Sequence, residues 1–93
     1  MSNKAENFLR DVAPESCFWC CDGRIMKNLS ELEKGFNEMT DEAFNYHVND
    51  DKNDFSTWVR ESVGDKKLAS DLTRCRNRKV ASRKVSERIK SLK

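Results

Sequence analysis

The feature that most limits the folds open to this chain is a succession of helix-starting residues, each followed by a short apolar run at helical spacing. Asn28 and Glu31 fit a capping arrangement, and Leu29, Leu32, Phe36 and Met39 then recur at intervals of three and four. Thr40 can cap the next helix, with Asp41 and Glu42 where the helix dipole favours negative charge, ahead of Ala43, Phe44, Tyr46, His47 and Val48. Asn49 to Lys52 reads as a polar loop. Asn53 or Asp54 then starts a helix with Phe55, Trp58, Val59 and Val63 inward, and Gly64 is placed to end it. Asp65 caps a run of Leu68, Ala69, Leu72 and Cys75, and Asn77 caps a thin stripe of Val80, Val85, Ile89 and Leu92. The chain reads as helix after helix.

The N-terminal third adds two elements. Residues 3–12 predict a short amphipathic helix with Ala5, Phe8, Leu9 and Val12 on one face, closed by Pro14 because the residue before a proline is pushed out of the helical region. Asp22-Gly23 lies between Cys17-Phe18-Trp19-Cys20-Cys21 and Arg24-Ile25-Met26-Lys27, which predicts a β-hairpin with a type I′ turn. The expected fold class is mainly α, a compact bundle of about five or six short helices with one small β-hairpin near residues 17–27. Ninety-three residues make a single domain over 1–93. Disordered chains combine high net charge with few aromatics; here the net charge is only +2 and eight aromatic side chains supply core volume, so a folded chain is expected.

No run approaches the roughly 18 apolar residues of a membrane span, and Met1 to Asn7 lacks the apolar run of a signal peptide. The expectation is a cytoplasmic protein without a membrane partner, its four cysteines thiols rather than a disulfide framework.

A longer pattern runs through the middle of the chain: Cys21-Asp22-Gly23-Arg24, Asn28-Leu29 with Glu31-Leu32, then Met39-Thr40-Asp41-Glu42 and Phe44. It continues through Tyr46-His47-Val48-Asn49, Lys52-Asn53-Asp54-Phe55, Trp58-Val59 and Gly64-Asp65. From Phe18 to about Leu72 the chain resembles a small domain family of unknown function, found mainly in archaea and some bacteria. The resemblance implies a shared fold over a core of residues 18–72 and carries no activity. The N-terminal helix and the basic C-terminal helix, residues 77–92, lie outside it.

Among the chemically capable side chains, His47 is the only histidine. With Asn49, Asn53 and Asp54 it forms a candidate polar site, which as an enzyme or switch would use the near-neutral titration of imidazole. The structural alternative places His47 at a helix C-terminus, bonded to the polar loop or to the cap of the next helix, with Asn53 and Asp54 as cap residues first. One histidine without a nucleophile or metal partner makes no catalytic unit, so no enzyme and no cofactor are expected. Cys17, Cys20 and Cys75 with His47 are the residues that would ligate zinc, but paired knuckles are missing, and Cys17 and Cys20 fall on opposite faces of a strand. No metal is therefore expected, and the thiols read as small core residues. Trp58 with Phe55 is expected at the centre of the core, and an exposed Trp19 would mark a contact surface.

Charge is unevenly divided. Residues 66–93 carry eleven Lys or Arg against Asp71 and Glu87, a net +9, while residues 1–65 carry −7. Arg74, Arg76, Arg78, Lys79, Arg83, Lys84, Arg88 and Lys90 are the candidate polyanion-binding residues. The alternative is that the basic helix packs along the acidic body. The expected function is thus a small non-catalytic binding or interaction module for an unknown protein partner. The second expectation is nucleic-acid binding through residues 66–93, and the third an enzyme or switch centred on His47.

Overall fold

The computed structural model describes residues 4–93. Its elements run α1 (Lys4–Leu9), β1 (Phe18–Trp19), β2 (Ile25–Met26), α2 (Leu29–Glu38), α3 (Asp41–His47), α4 (Asp54–Trp58), α5 (Lys66–Thr73) and α6 (Arg78–Leu92). The mainly helical class and the small antiparallel hairpin are as the sequence predicts. Asn3 and the Ala5 side chain, assigned by sequence to the first helix, lie outside what is described. Val12 is buried, but it sits past the end of α1, which stops at Leu9.

Five caps act where the sequence puts them. The side chains of Asn28, Thr40, Asn53, Asp65 and Asn77 accept the backbone N–H of Glu31, Ala43, Ser56, Leu68 and Val80 at 2.8–3.1 Å. Each satisfies a donor that the first turn of a helix leaves unpaired, typically stabilising by about 1 kcal/mol. Gly64 ends the fourth helical segment at φ 92°, a conformation that strains any residue with a Cβ. The end is wider than an ordinary helix: α4 continues as a π-turn over Val59–Val63, and the N–H groups of Gly64 and Asp65 both reach the Val59 carbonyl. Arg10 closes the carbonyls of Ser62 and Val63 from outside the segment.

The hairpin departs from the predicted turn. Type I′ needs positive φ at both Asp22 and Gly23, yet among the described non-glycine residues none has positive φ. The Gly23 N–H instead bonds the Cys20 carbonyl, and the Cys20 N–H bonds the Arg24 carbonyl. Cys21-Asp22-Gly23 is therefore a three-residue loop, an ordinary turn followed by left-handed Gly23 at φ 97°. The Asp22 carboxylate accepts from the Arg24 N–H at 3.1 Å and from its guanidinium at 3.0 Å, which fixes Asp22 at negative φ.

The core is one cluster. Phe55 stacks on Phe18 and Phe44, with ring centres 4.8 and 5.6 Å away, and meets the edges of Phe36 and His47 at 4.8 and 5.2 Å. Phe55 alone is thus the hub. Trp58, expected to share that place, sits at the margin, touching Phe18 and donating its indole N–H to the Ser16 carbonyl at 2.6 Å. The long helix α6 lies along α2 and buries Ala81, Ser82, Val85 and Ile89.

Candidate functional site

His47 ends α3 with its side chain buried. Its Nδ1 lies 2.8 Å from Asp54 Oδ2, and its Nε2 accepts the Cys21 backbone N–H at 3.1 Å. An Nε2 that accepts an amide N–H is unprotonated, so Nδ1 carries the proton and donates it to the Asp54 carboxylate. Helix–loop–helix geometry brings this pair together. The loop between α3 and α4 is pinched by a bridge between Val48 and Asn53 and by the Asn49 N–H on the Lys52 carbonyl, which sets Asp54 beside the last turn of α3.

Asp54 also accepts from Lys52 Nζ at 3.0 Å. Burial raises a carboxyl pKa, but here the hydrogen bonds from His47 and Lys52 outweigh it and hold Asp54 below the ordinary carboxylate range. The other two members of the sequence-predicted site stand apart. The Asn49 side chain accepts the N–H groups of Asp51 and Lys52, and Asn53 both caps α4 and donates to the Leu72 carbonyl at 2.9 Å. An open depression of about 330 Å³ beside the loop is lined by Asn49, Asp50, Lys52, Asn53 and Arg76, not by His47.

The cysteines regroup. Cys17 and Cys75 turn their thiols to the carbonyls of Ala13 and Asp71, away from His47. The thiols of Cys20 and Cys21 instead fall with a His47 ring nitrogen into a cluster whose ligand atoms all lie within 4.8 Å of one another. Of the four residues weighed as zinc ligands from sequence, Cys20 and His47 lie in this cluster, while Cys17 and Cys75 do not. Strand alternation separates Cys17 from Cys20, whereas the turn after Cys20 carries Cys21 back over His47. Burial pushes the Cys20 thiol up to about 11, with the Asp22 carboxylate adding in the same direction against a hydrogen bond that opposes it. Burial also raises Cys75. Cys21 is exposed.

The basic candidates divide into two groups. Arg88 clamps the fully buried Asp65 with two bonds of 2.7 and 3.2 Å, and lies 5.8 Å from the Phe8 ring centre. Arg78 pairs with Asp41 at 2.7 Å and covers the Phe36 carbonyl at the end of α2. Arg76 approaches Asp50 at 3.4 Å. Arg74, Lys79, Arg83, Lys84 and Lys90 make no ion pair among the described residues. Lys79, Arg83 and Lys90 share the exposed face of α6, away from its buried face, with one acid, Glu87, among them.

Trp19, Ile25 and Tyr46 are the exposed large hydrophobic side chains among the described residues. Trp19 is 70% exposed and Ile25, its cross-strand partner, 47%. Phe18 and Met26 occupy the other face of the hairpin and are buried. Ile25 carried no sequence signal, because a two-residue strand shows too little alternation to tell which face is buried.

No family model, curated protein or solved structure matches the chain. No helix among the described residues is long and apolar enough to cross a membrane.

Proposed function

We propose that this chain is a non-catalytic interaction module that takes a protein partner on the outer face of the β1–β2 hairpin. The observation that carries this reading is the cross-strand pair of Trp19 and Ile25, which face solvent while the other large aromatic side chains, exposed Tyr46 and half-buried Phe8 apart, fill the core. Tryptophan is the residue type most enriched among interface anchors, and an anchor on a short hairpin fits a concave, apolar pocket on the partner. His47 fits the same reading: both its ring nitrogens are held by Cys21 and Asp54, so it locks the hairpin turn onto α3 and α4. Membership of the family resembled over residues 18–72 belongs to this proposal, with the shared fold presenting the hairpin and α6 particular to this chain.

A photo-crosslinking amino acid at position 19 tests it in cells. The expected result is one dominant protein adduct, whose purified partner loses affinity for Trp19→Ala by at least about 30-fold, the scale of an interface hot spot. Equal affinity for the wild type and Trp19→Ala overturns the reading.

A second reading, polyanion binding by α6, is favoured by the unpaired stripe of Lys79, Arg83 and Lys90. Three phosphate contacts predict a slope of log K against log salt of about −2 to −3 on random duplex DNA. Each of Lys79→Ala, Arg83→Ala and Lys90→Ala should reduce that slope by about one contact. No binding at low salt disposes of it.

A further inference from the structure

We infer that Cys20, Cys21 and His47 form a zinc-binding site whose histidine is held by Asp54. Their three ligand atoms already lie within 4.8 Å of one another. Tetrahedral zinc with Zn–S near 2.3 Å and Zn–N near 2.0 Å sets its ligands about 3.6–3.8 Å apart, so closure draws the ligand atoms together by about an ångström, with a rotation of the Cys21-Asp22-Gly23 turn.

The histidine is arranged as a zinc ligand requires. A ligating imidazole normally donates its second N–H to a carboxylate, which fixes the tautomer and leaves the other nitrogen free to coordinate. Here Nδ1 donates to Asp54 at 2.8 Å, and Nε2 is the unprotonated nitrogen on the side of Cys21. Edge contacts from Phe18 and Phe55, at 5.0 and 5.2 Å, hold the ring in that orientation. Little reorganisation of the histidine is needed.

The donor set selects the ion. Two thiolates and an imidazole suit a borderline-soft cation, and offer nothing to calcium or magnesium, which demand oxygen ligands. Two thiolates also neutralise a divalent ion, which matters beside a buried Cys20. Exposed Cys21 gives the ion a path in, and water supplies the fourth position. Binding has a definite chemistry: each thiol S–H bond breaks as its Zn–S bond forms, and both protons go to solvent. The Cys21 N–H gives up Nε2 to the ion, so the Cys21-Asp22-Gly23 turn must rotate.

Titration of the reduced, full-length protein with cobalt(II) and zinc(II) tests the site. One cobalt per chain is expected, with a thiolate-to-cobalt band in the near ultraviolet, tetrahedral visible absorption, and displacement of both by zinc. Zinc should release about two protons per ion near neutral pH. Cys21→Ser, at an exposed position, should abolish the thiolate band while far-ultraviolet circular dichroism stays unchanged. Cys17→Ser and Cys75→Ser should leave it intact. Asp54→Asn should weaken binding by about 10–100-fold, the usual cost of losing a carboxylate behind a ligating histidine. Absence of a thiolate–cobalt band, or a band that survives Cys21→Ser, overturns the inference. So does a band lost in Cys17→Ser.

Discussion

Arg88 is the residue at which charge read from sequence and charge used by the fold part most sharply, and Arg88→Met measures the difference. Methionine keeps most of the packing of the arginine stem while deleting its charge. The Asp65 side chain, 1% exposed beneath Arg88, is then left with the Leu68 N–H as its one remaining bond. Breaking a buried ion pair from one side costs about 3–5 kcal/mol, because the surviving charge is desolvated and unpaired. The Arg88 side chain is 19% exposed, so water reaches the vacated space and the loss belongs at the lower end, about 3 kcal/mol.

At about 0.05–0.15 kcal/mol per residue, a chain of 93 residues has roughly 5–14 kcal/mol in total, so the variant stays folded but loses a large share. Urea unfolding should show a lower midpoint at unchanged m-value, and Tm should fall by about 12–24 °C. Asp65→Asn keeps the capping oxygen and removes the charge. Combined with Arg88→Met it should cost less than the two single changes added, by about 1–3 kcal/mol. A loss below about 1 kcal/mol in Arg88→Met would put the pair in the range of surface salt bridges and refute the reasoning. Arg88 would then rejoin the residues available to a polyanion.

Trp19→Ala should leave stability within about 0.5 kcal/mol, as for most exposed positions, whereas Phe55→Ala should cost about 3–5 kcal/mol, both read by urea unfolding. Iodoacetamide at pH 8 followed by peptide mapping should modify Cys21 first and spare Cys20, which is buried with a pKa raised to about 11, and the buried Cys75. Asp54 is held below its unfolded pKa, so its pairing stabilises the fold above about pH 4 and is lost as pH falls through the lower folded value. Asp54→Asn should therefore flatten the acid limb of the stability–pH curve below about pH 4, and an unchanged limb would contradict the assignment.

What the sequence made legible was local. A cap needs one side chain and an N–H three residues on, so Asn28, Thr40, Asn53, Asp65 and Asn77 could each be read without knowing the fold. The tie from His47 to the next helix was legible for the same reason, since Asp54 follows only seven residues later. Tertiary choices were not. Nothing near Asp65 announces that its partner is Arg88, and nothing in Asp22-Gly23 says that Asp22 keeps negative φ because Arg24 holds its carboxylate. Cys-x-x-Cys spacing shows only that Cys17 and Cys20 face apart, whereas the chain reversal at Cys21, a tertiary feature, decides which thiols meet His47. The basic tail was visible as a sum of charges, but which of those charges are consumed by the acidic body depends on where α6 lies against α2 and α5.

Both proposed sites lie on the β1–β2 hairpin, and that shared use has an energetic consequence. Phe18 anchors the strand in the aromatic cluster, Trp19 faces outward, and Cys20 and Cys21 follow directly over His47. The hairpin has only two paired residues per strand, too few to hold its own geometry in water, so its position is set by what its inner face and its turn are tied to. In the metal-free chain that tie is the Cys21 N–H on His47 Nε2. Replacing it with two Zn–S bonds and a Zn–N bond stiffens the turn that presents Trp19 and Ile25. A partner that needs those two side chains fixed then meets a hairpin whose ordering cost has already been met, and by linkage the same partner must tighten zinc by the same factor. His47 is the point where the hairpin, α3 and α4 are joined, and so the place where such a coupling would act.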